Sequence, residues 1–520
     1  MKTTPRDITA TLLSAVMLTL AFPPYDFEFI AWVAFLPVLL VLVNKKGFSP
    51  ALTGFIWGIA FFSGTVYWVS HSAAVYGNLS WPLSIAITLL LTSFLALYTA
   101  VFFQAASYLI KAGGMYLLFG IPCLWVFIEL IRARLFTGFP WVSLGYSQSL
   151  FIPLIQIADI TGIYGISFLI VMVNSLLLKW FLALKAGKNQ RPPKGMMSAE
   201  TIIVISLVGI SLLYGSYREK TVKMEMKGWR SLNVGIVQGN INQALKWDPA
   251  YQEQTMRIYR DLSLEGFKQE DRMALLVWPE SATPFYLQSD REYLPQIYDT
   301  LKELSVYLLT GTPAYEYTED GTPLYYNSAF LLSPEGKETG RYNKVHLVPF
   351  GEYVPMRRFL PFVNKIVEGI GGFSSGKELI NLSIPDAEFG VLICYEAIFP
   401  ELVRQFVEKG ADFMVNITND AWFGKTAAPF QHLSQTVVRS VENRVYLVRA
   451  ANTGISAIVD PTGRIIVESD LFTRETLKGE IRLKRKGFKT FYTIYGDVFA
   501  WMCVVTSIVF LLLARTKLQM

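Results

Sequence analysis

Cysteine, histidine and charge are all scarce in this 520-residue chain. It has three cysteines, three histidines and only 17% Asp, Glu, Lys and Arg, against 52% hydrophobic residues. A soluble globular chain carries about a quarter charged residues. Cys123 and Cys503 lie in long apolar runs, so Cys394 stands alone in the polar part of the chain and an internal disulfide there is excluded. Cys394 has no second cysteine at ligand spacing, and His71, His346 and His432 are scattered, so no metal site is expected. No glycine-rich phosphate loop or dinucleotide fingerprint stands out, and the reading requires no cofactor. The formal charge of +6 does not point to nucleic acid. Residues 1–215 hold 12 Lys and Arg against 6 Asp and Glu, and the remainder 35 against 35, so the excess lies in the apolar part.

Apolar runs are what the chain has in abundance. A membrane span needs roughly 17–25 mostly apolar residues. Eight stretches qualify, near 8–24, 29–44, 52–72, 83–110, 114–131, 163–183, 201–215 and 495–514. The first lacks a small-residue cleavage site and is closely followed by a second span, which argues against a signal peptide. Lys2 and Arg6, Lys45 and Lys46, Lys111, then Lys185, Lys188, Arg191 and Lys194 fall in every second loop, and Arg515 and Lys517 join that side. The positive-inside rule makes those loops cytoplasmic and puts 216–494 outside, in the periplasm of a two-membrane bacterium. The expected organisation is a seven-helix membrane domain over 1–215, an outer domain over 216–494, and a last span with a cytoplasmic tail over 495–520. The run Phe136-Thr137-Gly138-Phe139-Pro140-Trp141 reads either as an interfacial aromatic belt or as a wall of a lipid-access cleft.

From residue 231 the pattern changes to short apolar runs of the kind buried strands show. Candidate strands are Leu232–Val237, Ala274–Trp278, Val306–Thr310, Ser328–Leu332, Gly390–Ile393, Phe413–Ile417, Val445–Ala450 and Ser456–Val459. Amphipathic helical stretches at 251–269, 291–305, 399–409 and 427–441 fall between several of them. The expected class is a layered α/β domain with helices outside the sheet.

A lone thiol in an oxidising compartment is a liability that calls for a reason. Cys394 closes the run Gly390-Val391-Leu392-Ile393 and is followed by Tyr395-Glu396 and an amphipathic stretch, a strand-to-helix corner that presents a nucleophile. The positive end of that helix is expected to favour thiolate. Trp278-Pro279-Glu280-Ser281 ends another apolar strand with a carboxylate at the carboxyl edge, where reacting groups gather. A partly desolvated Glu280 has the raised pKa that suits a proton carrier near neutrality. His346 is a weaker candidate base. Lys344, in Arg341 through Tyr353, would stabilise both anions and the oxyanion of a tetrahedral intermediate.

Glu280, Lys344 and Cys394, in that order and each ending a strand, resemble the catalytic set of the nitrilase superfamily, whose fold is an α-β-β-α sandwich. Glu352 is similar to a second glutamate of that superfamily, and Asn416 through Gly424 looks like it too. With spans on both sides, the chain resembles the bacterial apolipoprotein N-acyltransferases. Gln238-Gly239-Asn240-Ile241 with Lys246-Trp247, Tyr342 through Tyr353, Cys394-Tyr395-Glu396 and Phe139-Pro140-Trp141 carry that resemblance. It implies a nitrilase-like sandwich inserted between about eight transmembrane helices in the bacterial inner membrane. It also implies acyl transfer from a phospholipid, phosphatidylethanolamine by expectation, to the amine of an apolipoprotein's N-terminal diacylglyceryl-cysteine, through a thioester on Cys394. Glu352 and Glu396 are then orienting or amine-binding groups, Tyr395 neighbours the nucleophile, and Trp247 and Trp422 wall the acyl or amine site. The nearest rival is a membrane-tethered nitrilase-type amidase hydrolysing a C–N bond, for which one span would suffice. A transporter would need ionisable residues within its spans; Glu129 and Lys179 are found there, both near span ends, which is weak support.

Overall fold

A computed structural model describes residues 5–43, 49–186, 198–268, 273–290, 292–354, 372–484 and 487–519. Lys2, Lys45, Lys46, Lys188, Arg191 and Lys194, on which much of the topology argument rests, lie outside the described residues. The chain divides into two compact units, one of Met1–Ser70, Ser80–Lys220 and Tyr495–Met520, the other of His71–Leu79 and Thr221–Ile494.

The first unit is helical. Trp81–Ala112, Tyr116–Arg134, Ile163–Lys185, Ala199–Met226 and Val498–Gln519 are each long and apolar enough to cross a membrane. A bent pair, Pro50–Thr65 and Trp68–Val75, makes a sixth if taken as one span. The first two expected spans correspond to the helix Pro5–Leu20 and the apolar segment Glu28–Val43; among the described residues five helices, or six with the bent pair taken as one, meet the length requirement, against about eight spans expected. Close packing comes from small residues, as lipid-embedded helices require. A Cβ on Gly54 would sit 2.5 Å from the Thr99 carbonyl oxygen, and one on Gly58 would sit 2.8 Å from Ala96 Cα.

The aromatic run after Arg134 is held from within the protein. Arg132 Nη1 donates to the carbonyl oxygens of Phe139 (3.0 Å) and Trp141 (2.5 Å), and Glu129 accepts from the Leu144 N–H at 2.6 Å. Trp141 is fully buried and packs against Trp68, so its ring faces the protein interior. Lys179 pairs with Glu200 at 3.1 Å. The two charges that favoured a transporter thus hold structure together.

The second unit contains two six-stranded sheets, ordered β12-β1-β2-β3-β4-β5 and β11-β10-β9-β8-β7-β6. Here β1 is Arg230–Gln238, β2 Met273–Val277, β3 Tyr307–Tyr317, β4 Pro323–Leu332, β5 Glu338–Asn343 and β6 Leu382–Ile384. The rest are β7 Ala387–Ile393, β8 Phe413–Thr418, β9 Tyr446–Ala451, β10 Ala457–Val459, β11 Ile465–Glu468 and β12 Glu475–Leu483. All eight expected strands are present. Each sheet has a parallel core, β1-β2-β3 or β7-β8-β9, and antiparallel flanks. Crossover helices Pro249–Phe267, Leu294–Leu304, Pro400–Glu408 and Ala428–Asn443 connect the parallel strands, as parallel pairing demands. The helices form outer layers, with Tyr259 of the first stacked on Trp278 at 5.0 Å in a dry cluster with Phe267, Ile297 and Leu301. The two sheets meet closely: a Cβ on Gly479 of β12 would lie 2.4 Å from Ile458 of β10.

Register places the carboxyl end of β2 beside the middle of β3. Gly311 N–H donates to the Pro279 carbonyl at 3.1 Å, and a Cβ there would meet Ser281 N at 2.5 Å and Glu280 Cα at 2.6 Å. All are backbone atoms that cannot move aside singly. Gly311→Ala is therefore expected to displace the Glu280 turn, destabilise the outer unit by about 1–3 kcal/mol as overpacking does, and lower activity more than stability. Thermal unfolding and turnover of the purified variant, measured together, check this.

Candidate active site

The site is assembled from four strand ends. Glu280 leaves β2, Lys344 leaves β5, Cys394 leaves β7 and Asp420 follows β8. β4 joins the first two: Asn327 lies opposite Pro313 of β3, and its carbonyl accepts the Lys344 N–H at 2.8 Å. Side chains then close the row. Asn327 Nδ2 donates to Glu280 Oε1 (2.8 Å) and to Glu352 Oε1 (2.9 Å). Lys344 Nζ sits 2.8 Å from Glu352 Oε1 and 3.8 Å from Glu280 Oε1. Glu352 Oε2 accepts from the Val348 N–H, fixing the carboxylate in its own loop. Glu280 Oε2 is buried and accepts no hydrogen bond among the described residues.

Burial dominates the electrostatics. Lys344 is 1% exposed, a condition that would strip an isolated ammonium of its proton; Glu352, Glu280 and Cys394 oppose this and drive its pKa up. The Glu280 carboxyl is raised by burial, eased by Lys344, and pushed up again by Glu352. The Cys394 thiol is raised well above its ordinary value by burial and by Glu280, with Lys344 pulling the other way. The expectation of a resting thiolate is thus corrected. Cys394 opens a five-residue 3₁₀ turn, Cys394–Ile398, while the α-helix begins only at Pro400, so no helix dipole of useful length is aimed at the sulfur.

Glu396 is fully buried and joins two loops. One oxygen accepts from Tyr342 Oη (2.9 Å) and the Val345 and His346 N–H groups (2.8 and 3.0 Å), the other from the Ile393 N–H (2.8 Å). Burial raises its pKa to about 7 in spite of those donors. It ties the Lys344 strand end to the Cys394 turn. The His346 ring lies against Phe399 at 3.8 Å and the Tyr395 ring against Phe399 at 5.2 Å. Trp247 (47% exposed) and Trp422 (39%) stand outside this buried cluster; Trp422 meets Tyr76, and its carbonyl accepts from Ser72 Oγ at 2.7 Å.

Behind Cys394 lies a polar network. Arg449 Nη2 pairs with Asp420 Oδ2 at 2.6 Å, Thr418 Oγ1 donates to Asp420 Oδ1 at 3.0 Å, and Arg449 also bonds Asn416. His432 Nδ1 lies 3.1 Å from Asp420, and Nε2 lies 3.2 Å from the Cys394 carbonyl oxygen. A carbonyl can only accept, so Nε2 carries the proton. Burial, then Arg449, hold the ring's pKa below its usual value, so it is neutral. Asn416 Nδ2 is 3.4 Å from the same oxygen. Sequence reasoning missed Asn327, the burial of Lys246, and this network, although Lys246 and Asn416 through Asp420 lay within the runs that carried the family resemblance. The signal for Asn416 and Arg449 was polarity inside otherwise apolar strands.

A buried carboxyl, ammonium and thiol thus stand at adjoining strand ends of a nitrilase-like fold, and the chain from 233 to 487 matches the carbon-nitrogen hydrolase family. Residues 14–176 match the apolipoprotein N-acyltransferase N-terminal domain. The chain is 46% identical to the apolipoprotein N-acyltransferase of Geobacter metallireducens over 513 residues, covering 98% of this chain and 95% of the relative. With the Haemophilus influenzae enzyme of that name it shares 33% over 509 residues, 96% of this chain and 93% of the other. Nit3 of Saccharomyces cerevisiae, a nitrilase-superfamily structure, aligns with 49% of this chain and 90% of its own at 20% identity and a TM-score of 0.39. The chain belongs to the apolipoprotein N-acyltransferase family, and it is a membrane protein with a nitrilase-superfamily catalytic domain.

Asp420 shows how strongly the network is bound. Burial alone would raise its carboxyl, but the Arg449 guanidinium holds it down at about 2. A depressed carboxylate contributes stability that is present above its unfolded value of about 3.9 and lost as pH falls through the folded value. Asp420→Asn leaves Arg449 buried without its counter-charge, a loss of roughly 3–5 kcal/mol. Thermal unfolding of both proteins between pH 7 and pH 2 should show this gap narrowing below about pH 4.

Proposed function

We propose that the chain transfers an acyl chain from a phospholipid to the N-terminal amine of diacylglyceryl-cysteine in apolipoproteins, through a thioester on Cys394. The observation that carries this reading is the buried set Glu280, Lys344 and Glu352 at the strand ends facing Cys394, in a chain that matches its relatives over 98% of its length. Phosphatidylethanolamine is the proposed donor. The proposed site of action is the bacterial inner membrane, with the apolar helices of 1–215 and 495–520 embedded in it and the catalytic domain, 216–494, in the periplasm. An amidase of the same fold would use the same residues, but the match across the helical unit does not favour it.

Glu280 Oε2, the oxygen without a hydrogen bond, takes the proton from the Cys394 thiol as Sγ attacks the ester carbonyl of the donor. The S–C bond forms and the carbonyl π pair becomes an oxyanion, which Lys344 stabilises. Collapse breaks the ester C–O bond, and Glu280 returns its proton to the departing lysophospholipid oxygen, leaving the thioester. In the second half the lipoprotein amine attacks that thioester and Glu280 accepts a proton from nitrogen. Expulsion of sulfur forms the amide, and Glu280 reprotonates the thiol. Kinetics are ping-pong. The raised thiol pKa means that the nucleophile is generated only as Glu280 accepts the proton, so idle enzyme is a poor target for oxidation. Glu352 and Glu396 orient Lys344 and the Cys394 turn, Tyr395 borders the nucleophile, and Trp247 and Trp422 line the approach of acyl chain and amine.

Exposure of the purified protein to phosphatidylethanolamine should add one acyl mass to the peptide containing Cys394, and Cys394→Ser should lose both adduct and transfer. An unmodified Cys394 peptide in a turning-over enzyme would refute the thioester. Lys344→Ala or Glu280→Gln should slow adduct formation by about 10²–10³-fold, by analogy with loss of one oxyanion donor.

A further inference from the structure

Lys246 is a buried cation beside Glu280 to which the reaction above gives no task. Its side chain is fully buried, and among the described residues Nζ donates one hydrogen bond, 3.0 Å, to the backbone carbonyl of Glu280. The loop that delivers it, between β1 and Pro249, is pinned at several points. The Ile241 N–H donates to Asn452 Oδ1 at 2.8 Å, Asn452 Nδ2 donates back to the Ile241 carbonyl at 2.9 Å, and Asn419 Nδ2 donates to Gln243 at 2.5 Å. A lysine is buried at considerable free-energy cost unless its charge is compensated. Here compensation comes from the site as a whole. Glu280 and Glu352 are two carboxylates against the single ammonium of Lys344, and Lys246 brings the cluster to neutrality.

We propose that Lys246 is a positioning residue for the catalytic base, holding the Glu280 backbone at the strand end and keeping its carboxyl ionised in the resting enzyme. The proposal rests on Glu280 being the base. The groups that face the Glu280 carboxyl are Lys344, Glu352, Asn327, Lys246 and Cys394. Of these, Lys344 and Lys246 favour ionisation through charge and Asn327 through a hydrogen bond, while burial and Glu352 oppose it. Glu280 in turn supports the Lys246 charge, which burial otherwise lowers to about 8. The sign follows. Removing the ammonium raises the proton affinity of Glu280, so the acidic limb of the rate profile moves to higher pH. At alkaline pH the profiles converge, because Lys246 of the wild type sheds its own proton through about pH 8.

The test is the pH dependence of acyl-enzyme formation by the full chain in detergent, with fluorescent phosphatidylethanolamine as the probe. Wild type, Lys246→Met, Lys246→Gln and Glu280→Gln are compared. Lys246→Gln keeps a donor for the Glu280 carbonyl but not the charge, which separates the electrostatic effect from loss of the loop contact and serves if Lys246→Met fails to fold. Both Lys246 variants should shift the acidic limb upward by about one pH unit, a tenfold loss at fixed acidic pH; above pH 8.5 Lys246→Gln should return to near the wild-type rate, while Lys246→Met keeps a further pH-independent loss from the missing backbone contact. A uniform loss at all pH values, with the limb unmoved, overturns the proposal. If instead Glu280→Gln retains the wild-type limb, the assignment of Glu280 as base fails, a result distinct from an unmoved limb in the Lys246 variants alone.

Discussion

Lys344 keeps a full charge at 1% exposure because Glu352 lies 2.8 Å away and Glu280 3.8 Å away. That arrangement sets conditions on everything around it. Two carboxylates this close would otherwise hold a proton between them, as paired acids do. Asn327 donates to both and lets them share the ammonium instead. The sheet supplies the geometry: β2, β3, β4 and β5 are neighbours in that order, so residues from two loops and one strand fall into a line. No local sequence element contains this set. It exists only once the parallel core and its antiparallel flank have formed.

The loops that deliver the site residues bear a cost in backbone conformation. Cys394 (φ 54°), Ser281 next to Glu280 (φ 50°), Phe350 near Glu352 (φ 60°) and Asn240 before Lys246 (φ 47°) all occupy the left-handed region. Each costs of order 1 kcal/mol or more, and such residues persist only where surroundings over-determine them. The surroundings are visible. His432 and Asn416 hold the Cys394 carbonyl, Glu396 holds the Ile393 N–H, Gly311 holds the Pro279 carbonyl, and Asn452 accepts from the Asn240 N–H through its own carbonyl. Strain at the nucleophile is thus opposed by buried charge pairs such as Asp420–Arg449 rather than by apolar packing alone.

What the sequence discloses follows from the range of each interaction. Buried parallel strands are short apolar runs, so the eight central strands were legible, and with them the strand ends bearing Glu280 and Cys394. β5, β6, β11 and β12 were not, because edge strands alternate or carry charge: Glu338-Thr339-Gly340-Arg341 has no apolar face. Lys344, at the end of β5, was found through its motif and not through its strand. The helical unit shows the converse limit. Composition marks membrane segments well, but Pro5–Leu20 and Glu28–Val43 are shorter than a span requires. Asn327 and Lys246 were illegible as functional groups because an asparagine in a strand and a lysine in a loop acquire meaning only from partners far away in sequence, 47 and 34 residues from them at Glu280.

Burial is also what reconciles a protonated thiol with nucleophilic catalysis. An exposed, low-pKa cysteine would be ready to attack, but it would also be ready to oxidise. A thiol raised by burial is inert until a base takes its proton, and Glu280, raised by the same burial, is matched to it in kind. Burial pushes both groups toward their neutral forms, and the charges of Lys344 and Lys246 work against it at Glu280. With Glu280 ionised, proton transfer from the thiol exchanges one buried anion for another and creates no net charge. Lys344 acts on both groups, so it stabilises whichever of the two holds the negative charge. In a low dielectric each separate ionisation is expensive, whereas a transfer between two groups that share an ammonium leaves the net charge of the cluster unchanged.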